Sequence, residues 1–203
     1  MWQPRLEAGQ PMPTTIEEWY RLATSPLYQD SGIQGHLPYL RQLVEWQRSQ
    51  GIAPVVVELG TGGMDQSTIA WIAGGVKYYE GYDLNVPNSL DTIARLAQSN
   101  GVGFSFHNDD TANAPVLPST ILFIDSLHNL ETVEIELARF APLCSGLIVF
   151  HDVCAFGRVG QSSGPNTGIN LAIAEFLFNN TEWSVVDYRQ NDNGLLTLQR
   201  KVE

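Results

Sequence analysis

The stretch Val55-Val56-Val57-Glu58-Leu59-Gly60-Thr61-Gly62-Gly63 decides the fold of this 203-residue chain. Apolar and β-branched residues lead into an acid and then into clustered glycines, and a helical apolar pattern follows over residues 69–73. The order strand, tight turn, helix is typical of an open α/β sheet, whose ligands lie at the carboxyl ends of its strands. The dinucleotide spacing G-x-G-x-x-G fails, because Asp65 stands three residues after Gly62. We therefore expect Glu58 to suit a ligand with hydroxyls or a positive charge better than a pyrophosphate.

Composition and charge limit the classes of partner. A chain of this length with 43% apolar residues is most simply one globular domain. Its net charge of −11 and sequence pI near 4.7 argue against nucleic acid or an anionic membrane as the partner. Cys144 and Cys154 lie among apolar residues, which predicts buried free thiols and a reducing, cytoplasmic location. We expect neither a signal peptide nor a membrane-spanning segment, and the sequence leaves a homo-oligomer open.

Strands alternate with helices from residue 55 onward. The predicted strands lie at 55–59, 76–83, 103–108, 120–124, 147–150, 183–189 and 195–200, and the last two form a hairpin through Asn193-Gly194. The pattern predicts a Rossmann-like, doubly wound α/β fold: a mostly parallel seven-stranded sheet with an antiparallel C-terminal hairpin strand. Residues 1–50 are predicted to form a helical appendage packed on a main domain over 51–203.

The predicted helix over 130–140 has a clear apolar stripe. Leu130, Val133, Leu137 and Phe140 keep helical spacing. We expect the three acids between them, Glu131, Glu134 and Glu136, to lie on the outer face.

Acidic and histidine side chains follow the predicted strand ends. They are Glu58 after the first strand, Asp83 after the second, Asp109 and Asp110 after the third, Asp125 and His128 after the fourth, and His151 and Asp152 after the fifth. Parallel strands with right-handed crossovers place these residues along one rim, where carboxylates repel each other unless a cation lies among them. An acid after the second strand suits a ribose. The carboxylates and imidazoles after the fourth and fifth strands suit a divalent metal ion.

These residues also have structural interpretations. The alternatives are a helix cap for Glu58, a loop position without a ligand for Asp83, a cap or turn for Asp109 and Asp110, and a helix or turn position for Asp152. His128 could belong to an N-cap region, and His151 could be a hydrogen-bonded core residue. Asp125 is the hardest to explain in this way, because a carboxylate buried at a strand end without a partner is costly.

Four motifs together carry a family resemblance. They are Val55-Val56-Val57-Glu58-Leu59-Gly60-Thr61-Gly62, Tyr82-Asp83, Phe123-Ile124-Asp125-Ser126-Leu127-His128 and Gly146-Leu147-Ile148-Val149-Phe150-His151-Asp152-Val153. They resemble the class I S-adenosylmethionine-dependent methyltransferases, and more narrowly the branch with cephalosporin-hydroxylase-like and macrolide-sugar O-methyltransferases. The resemblance covers roughly residues 50–200, so the main domain would be the methyltransferase domain.

The resemblance implies a role for each strand-end residue. Glu58 with Gly60, Thr61, Gly62 and Gly63 would hold the methionine part of S-adenosylmethionine, Asp83 the ribose, and Asp109 or Asp110 the adenine amino group. Asp125, which would also border the cofactor, and Asp152 would bind Mg²⁺ or another divalent cation. His151 stands where several relatives have a carboxylate ligand, and His128 would be the general base. The sequence departs from many relatives at Met64-Asp65-Gln66, where they carry glycines.

The chemistry of methyl transfer agrees with these residues. Acidic strand ends would tolerate a sulfonium, which is a permanent cation. An aliphatic hydroxyl has a pKa far above the ~6.5 of histidine, and the difference of on the order of 12 kcal/mol is one that histidine alone covers poorly. A bound cation lowers the pKa of a coordinated hydroxyl toward neutrality, and the remaining proton transfer suits His128.

The leading prediction is therefore a metal-assisted O-methyltransferase for a small hydroxylated acceptor, sugar-like or phenolic. A metal-independent methyltransferase and a non-catalytic cofactor-binding protein of the same fold are the alternatives. A nicotinamide dehydrogenase is disfavoured by the missing third glycine.

Two segments outside the strands are predicted to border the acceptor. The loop over 157–168 follows the fifth strand and is rich in glycine, serine and asparagine, so we expect it to close over the acceptor. The N-terminal appendage could bring Trp19, Tyr20 or Tyr28 to the pocket.

Overall fold

A seven-stranded sheet in the order β3-β2-β1-β4-β5-β7-β6 is the centre of the computed structural model, which describes residues 13–26, 32–64, 66–161 and 167–201. The strands are β1 (Val55–Leu59), β2 (Tyr78–Asp83), β3 (Gly103–Asn108), β4 (Ser119–Ile124), β5 (Cys144–His151), β6 (Trp183–Arg189) and β7 (Leu195–Arg200). The first five strands are parallel, and β7 runs antiparallel between β5 and β6. The predicted doubly wound fold with an antiparallel C-terminal strand is confirmed.

Helices cover both faces of the sheet. They are α1 (Ile16–Ala23), α2 (Leu37–Ser49), α3 (Ser67–Ala73), α4 (Leu90–Ser99), α5 (Leu130–Phe140) and α6 (Ile169–Asn179), with short 3₁₀ turns at Gln34–His36 and Ala141–Leu143. Successive residues of β1 alternate between the faces: Val56 joins one apolar cluster with α1–α4, and Val57 joins the other with α5 and α6. Buried on both faces, the central strands are therefore apolar nearly throughout.

The N-terminal helices share the main core. Thr15 and Glu18 form a capping box that starts α1, and Trp19 on α1 is only 3% exposed. Leu37 and Leu40 of α2 are fully buried in the same cluster as the α3 side chains. Trp19 is thus a core residue, whereas Tyr28 lies outside the described residues.

Two sequence predictions about burial are wrong. Cys144 is buried as expected, but Cys154 is exposed, since it lies in the turn after β5 rather than within the strand. Glu136 is fully buried, because it lies three residues after Val133 and four before Phe140 and so shares their face of α5. None of the helices in the described ranges is long and apolar enough to cross a membrane.

Candidate active site

The turn after β1 depends on Gly60. Its backbone has φ +83°, and its N–H donates to Tyr82 O at 2.9 Å, which ties the turn to β2. A Cβ at this position would lie 2.3 Å from Asp125 O, so no other residue fits between β1 and the end of β4. Gly62 has φ +51° and borders open space. At Gly60 and Gly62 the backbone of the turn therefore lies at the rim with no side chain covering it.

Asp83 holds this turn from the end of β2. Its Oδ2 accepts hydrogen bonds from the N–H groups of Thr61 at 3.1 Å and Gly62 at 3.0 Å, and its Oδ1 accepts from Asn85 N at 2.8 Å. The carboxylate thus has a structural role in this turn, and it also lines the cavity where the ribose is predicted.

Glu58 lies beneath the turn. It is fully buried, and its carboxyl accepts from the hydroxyls of Ser67, of Thr68 at 3.0 Å and of Tyr79 at 2.5 Å. Burial raises the pKa of Glu58 to about 7, against the opposing effect of these donors. Glu58 therefore fastens the start of α3 to β1 and β2, and a contact with the methionine part of a cofactor stays a prediction.

A cavity of about 430 Å³ opens at the carboxyl ends of β1, β2, β3 and β4. Its lining includes Gly60, Gly62, Tyr82, Asp83, Leu84, Asn85, Asp109, Asp110, Thr111, Asp125, Ser126, Leu127, Thr132 and Gln161. The volume lies within the ~300–1,000 Å³ of small-molecule sites. Six of the residues predicted to bind the cofactor thus border one cavity.

Asp109 and Asp110 form the outer wall of this cavity. Asp109 Oδ1 accepts from Asp110 N at 2.8 Å, and Asp110 Oδ1 accepts from Ala112 N at 2.9 Å. These bonds are the turn roles weighed from the sequence. Oδ2 of each carboxylate takes no part in these two hydrogen bonds, and both side chains are exposed at the rim.

Two histidines and two aspartates form a compact cluster at the ends of β4 and β5. Asp125 Oδ1 lies 3.1 Å from His151 Nδ1 and 3.3 Å from His128 Nε2. Asp152 lies 3.4 Å from His151 Nδ1 through Oδ1 and 3.6 Å from His128 Nδ1 through Oδ2. The structure therefore brings together four residues that the sequence predicted to share a site.

The carboxylates and the imidazole rings of this cluster stabilise each other's charged forms. Burial alone would raise the pKa of Asp125, yet the adjacent His128 and His151 outweigh burial and hold that pKa below its ordinary value. Burial would lower the pKa of both histidines, but Asp125 outweighs it, raising the pKa of His128 and bringing that of His151 to about 9. The cluster thus favours carboxylates beside imidazolium rings.

Gln161 and Phe156 hold the ring of His128, and sequence reasoning missed both. Gln161 Oε1 accepts from His128 Nδ1 at 3.0 Å, and Phe156 stacks on the ring with the centroids 5.4 Å apart. Gln161 N also donates to His128 O at 2.9 Å, and Leu130 N donates to Thr167 O at 3.0 Å. The described ends of the loop over 157–168 are therefore attached beside His128; residues 162–166 lie outside the described residues.

His151 is held from the N-terminal segment. Its Nε2 donates to Gly32 O at 2.8 Å and lies 3.2 Å from Asp192 O in the β6–β7 turn. His36 packs edge-on against the His151 ring, with centroids 5.5 Å apart. Because carbonyl oxygens only accept, Nε2 carries a proton, and Nδ1 faces two carboxylates. Both ring nitrogens of His151 therefore have protein neighbours, and its role as a metal ligand stays a prediction.

A different trio has the spacing of a metal site. Asp125, His128 and Asp152 each offer one ligand atom, and these atoms lie within 4.8 Å of one another. Asp152 has φ +61°, an uncommon conformation for a non-glycine residue. Among the described residues, His128 Nε2 and Asp152 Oδ1 are buried without a hydrogen-bond partner. The trio keeps the two predicted carboxylates and replaces His151 with His128.

The strand order and the strand-end cavity together define the fold of class I methyltransferases. No protein-family model and no curated protein sequence matches the chain. Solved structures do match it. An O-methyltransferase from Bacillus cereus, in complex with SAH, is 20% identical with a TM-score of 0.57, over 94% of this chain and 92% of that one.

Two further solved structures extend the comparison. Magnesium protoporphyrin IX methyltransferase from Synechocystis PCC 6803, with bound SAH, is 16% identical with a TM-score of 0.58, over 91% of this chain and 94% of that one. SAH-bound methyltransferase PaMTH1 from Podospora anserina is 16% identical with a TM-score of 0.58, over 95% of this chain and 90% of that one. At these identities the likeness establishes the fold.

Proposed function

We propose that the protein transfers the methyl group of S-adenosylmethionine to an oxygen of a small hydroxylated acceptor, sugar-like or phenolic. One observation carries the proposal: a glycine turn, an acid after β2 and Asp125 of the histidine–aspartate cluster border the same cavity, with His128 Nε2 3.3 Å behind Asp125 Oδ1. Methyltransferases of the same fold, one of them an O-methyltransferase, bind SAH. Membership of the macrolide-sugar branch and a cytoplasmic location stay predictions.

The cavity fits the cofactor by shape and charge. Gly60 and Gly62 present backbone where a side chain would block the rim, and Asp83 offers acceptors for ribose hydroxyls. Asp125, whose pKa is held low, supplies a negative charge for a cationic ligand. When bound, S-adenosylmethionine supplies an electrophilic methyl group on a sulfonium.

His128 is the proposed general base. Gln161 Oε1 occupies its Nδ1–H, so in the neutral form of the ring Nε2 is the atom that takes the proton of the acceptor hydroxyl. Asp125 Oδ1, 3.3 Å from Nε2, stabilises the positive charge that develops on the ring. Asp125 and Gln161 both line the cavity, so this proton transfer takes place at its edge.

A divalent cation fits the carboxylates of this cluster. Asp125 and Asp152 would hold it, since carboxylate oxygens are the ligands Mg²⁺ and Mn²⁺ prefer. Asp152 Oδ1 lies 3.4 Å from His151 Nδ1 but has no hydrogen-bond partner among the described residues. The ion would supply a positive charge that lowers the pKa of an acceptor hydroxyl. His128 cannot both coordinate through Nε2 and accept a proton there, and we assign it the proton transfer.

Calorimetry and an activity panel test the proposed function. The wild-type protein should bind SAH, and D83N should weaken that binding because the ribose loses a charged acceptor. D91N, on the exposed first turn of α4, is the matched control and should bind like wild type.

Transfer assays then separate the alternatives. The protein should methylate a hydroxylated member of a sugar and catechol panel, and a chelator should abolish turnover. SAH binding with no transfer to any acceptor would indicate a binding protein, turnover that survives the chelator would indicate a metal-independent enzyme, and absence of SAH binding would refute the proposal.

A further inference from the structure

Glu136 is a buried carboxyl to which the proposed proton transfer gives no role. Its side chain on α5 is fully buried, and Thr111 Oγ1 donates to its Oε1 at 2.8 Å. Its Oε2 is buried with no hydrogen-bond partner in the described part of the chain. Glu58, equally buried, instead receives three hydroxyl donors. A carboxyl left half-satisfied costs stability, and such exceptions concentrate at functional sites.

The position of Glu136 connects it with the cavity. Its partner Thr111 lines the cavity, as does the neighbouring Ser126, whose hydroxyl also acts on the Glu136 carboxyl without reaching hydrogen-bond geometry. Burial raises the pKa of Glu136 to about 7, opposed by the Ser126 and Thr111 hydroxyls. Glu136 therefore lies directly behind the wall formed by the loop after β3 and the end of β4.

This wall is the place for the nucleobase of the proposed donor. Asp83 marks the ribose, and the histidine–aspartate cluster with Gln161 marks the reacting end of the cavity. The remaining wall, Asp109 to Thr111, lies on the β3 side of Asp83. With the ribose assigned to Asp83, this wall is the part of the cavity left for the base. Adenine carries an amino donor that a carboxylate accepts, whereas hypoxanthine carries a carbonyl oxygen at the same carbon.

We infer that Glu136 is a positioning residue for base selection: through Thr111 it holds the loop that distinguishes adenine from hypoxanthine. The inference rests on the proposed function, because it concerns the base of the methyl donor. It adds a residue remote from the reacting atoms, on a helix that otherwise packs the core. The side chain acts on the base through Thr111 and the adjoining aspartates.

Calorimetry with two ligands tests this inference. SAH and its hypoxanthine analogue, S-inosylhomocysteine, are titrated into wild type, T111V, E136L and E136Q. Wild type should prefer SAH. T111V and E136L should lose about tenfold in SAH affinity while the analogue binds as before, since only the adenine contact depends on the loop. E136Q keeps an acceptor for Thr111 and should lose less.

The controls distinguish a specific effect on base preference from a folding defect and from a failure of the proposed function. E134Q, on the exposed face of α5, should match wild type, and T111V provides the test if E136L fails to fold. Equal weakening of both ligands, an unchanged preference in T111V, or a wild type that binds both ligands equally would overturn the inference alone. Failure of wild type to bind either ligand would overturn the proposed function as well.

Discussion

A single residue, Gly60, controls the geometry of the candidate site. It combines φ +83° with a Cβ position 2.3 Å from Asp125 O. G60A should therefore cost about 3 kcal/mol of unfolding free energy, from left-handed strain and the clash together. SAH affinity should fall as well, because the turn and the end of β4 both border the cavity. Urea unfolding and calorimetry measure the two effects.

Gly101 offers the matched control for Gly60. It has φ +70°, but a Cβ there would meet nothing within 4 Å. G101A should cost only the strain of about 1 kcal/mol and leave SAH binding unchanged. Equal effects of the two substitutions would contradict a specific close approach at Gly60.

His128 has two competing roles, and a substitution separates them. If it is the general base, H128A should lose ~10²- to 10⁴-fold in turnover while SAH and Mn²⁺ affinities stay at the wild-type level. H107Q is the control, because His107 pairs with Glu80 at 2.8 Å on the β2–β3 side of the sheet. A large loss of Mn²⁺ affinity in H128A would show instead that the ring coordinates the ion.

Among the secondary-structure elements, the start of α5 positions His128. Asn129 caps this helix: its Oδ1 accepts from Thr132 N at 2.8 Å. N129A should lower the unfolding free energy by about 1 kcal/mol, and N129D should not, since aspartate also caps and suits the helix dipole. Urea unfolding of the three proteins measures this, and equal losses in both variants would show that the cap contributes little.

The sequence predicted strands and helices correctly where the apolar pattern repeats. It failed for Glu136, which lies on the buried face of α5 and not on the exposed face. The β1 turn, the alternation of strands and helices and the hairpin at Asn193-Gly194 follow from local rules, and the structure contains all of them. Glu136 was assigned to the outer face because acids are rarely fully buried. Its spacing of three from Val133 was the available signal, and only the Thr111 hydroxyl across the cavity wall explains its burial.

The pH dependence of stability belongs to the whole molecule, because two core carboxyls hold protons more tightly when folded. Burial raises the pKa of Glu58 and of Glu136 to about 7, from an ordinary value of 4.5. These two carboxyls thus bind more protons in the folded than in the unfolded state between those limits, so their contribution to stability falls as pH rises from about 4.5 to about 7 and is constant above that. Each carboxyl contributes on the order of 3 kcal/mol.

Glutamine variants isolate this effect. E58Q should flatten the decline in unfolding free energy across that interval, and E136Q should do the same at the other face of the sheet. Urea unfolding at several pH values gives the comparison, with E134Q as the exposed control. An E58Q profile parallel to that of wild type would show that Glu58 ionises normally in the folded protein.

The site as a whole was only partly predictable from the sequence. Its strand-end residues follow from topology, because parallel strands deliver their carboxyl ends to one edge. The contacts that hold the two histidines do not: Gly32 is 119 positions from His151, and Gln161 is 33 from His128. Such contacts depend on how loops pack after the sheet has formed, and no periodicity records them.

The hydrogen bond between His151 and Gly32 O has a practical consequence for cloning. A shortened gene that starts at β1 would still encode all seven strands and every acid on the rim. Its product would lack both the carbonyl that receives the His151 proton and the helices that cover α3. Expression vectors for this protein should therefore retain the codons upstream of β1, and solubility tags belong ahead of them rather than in their place.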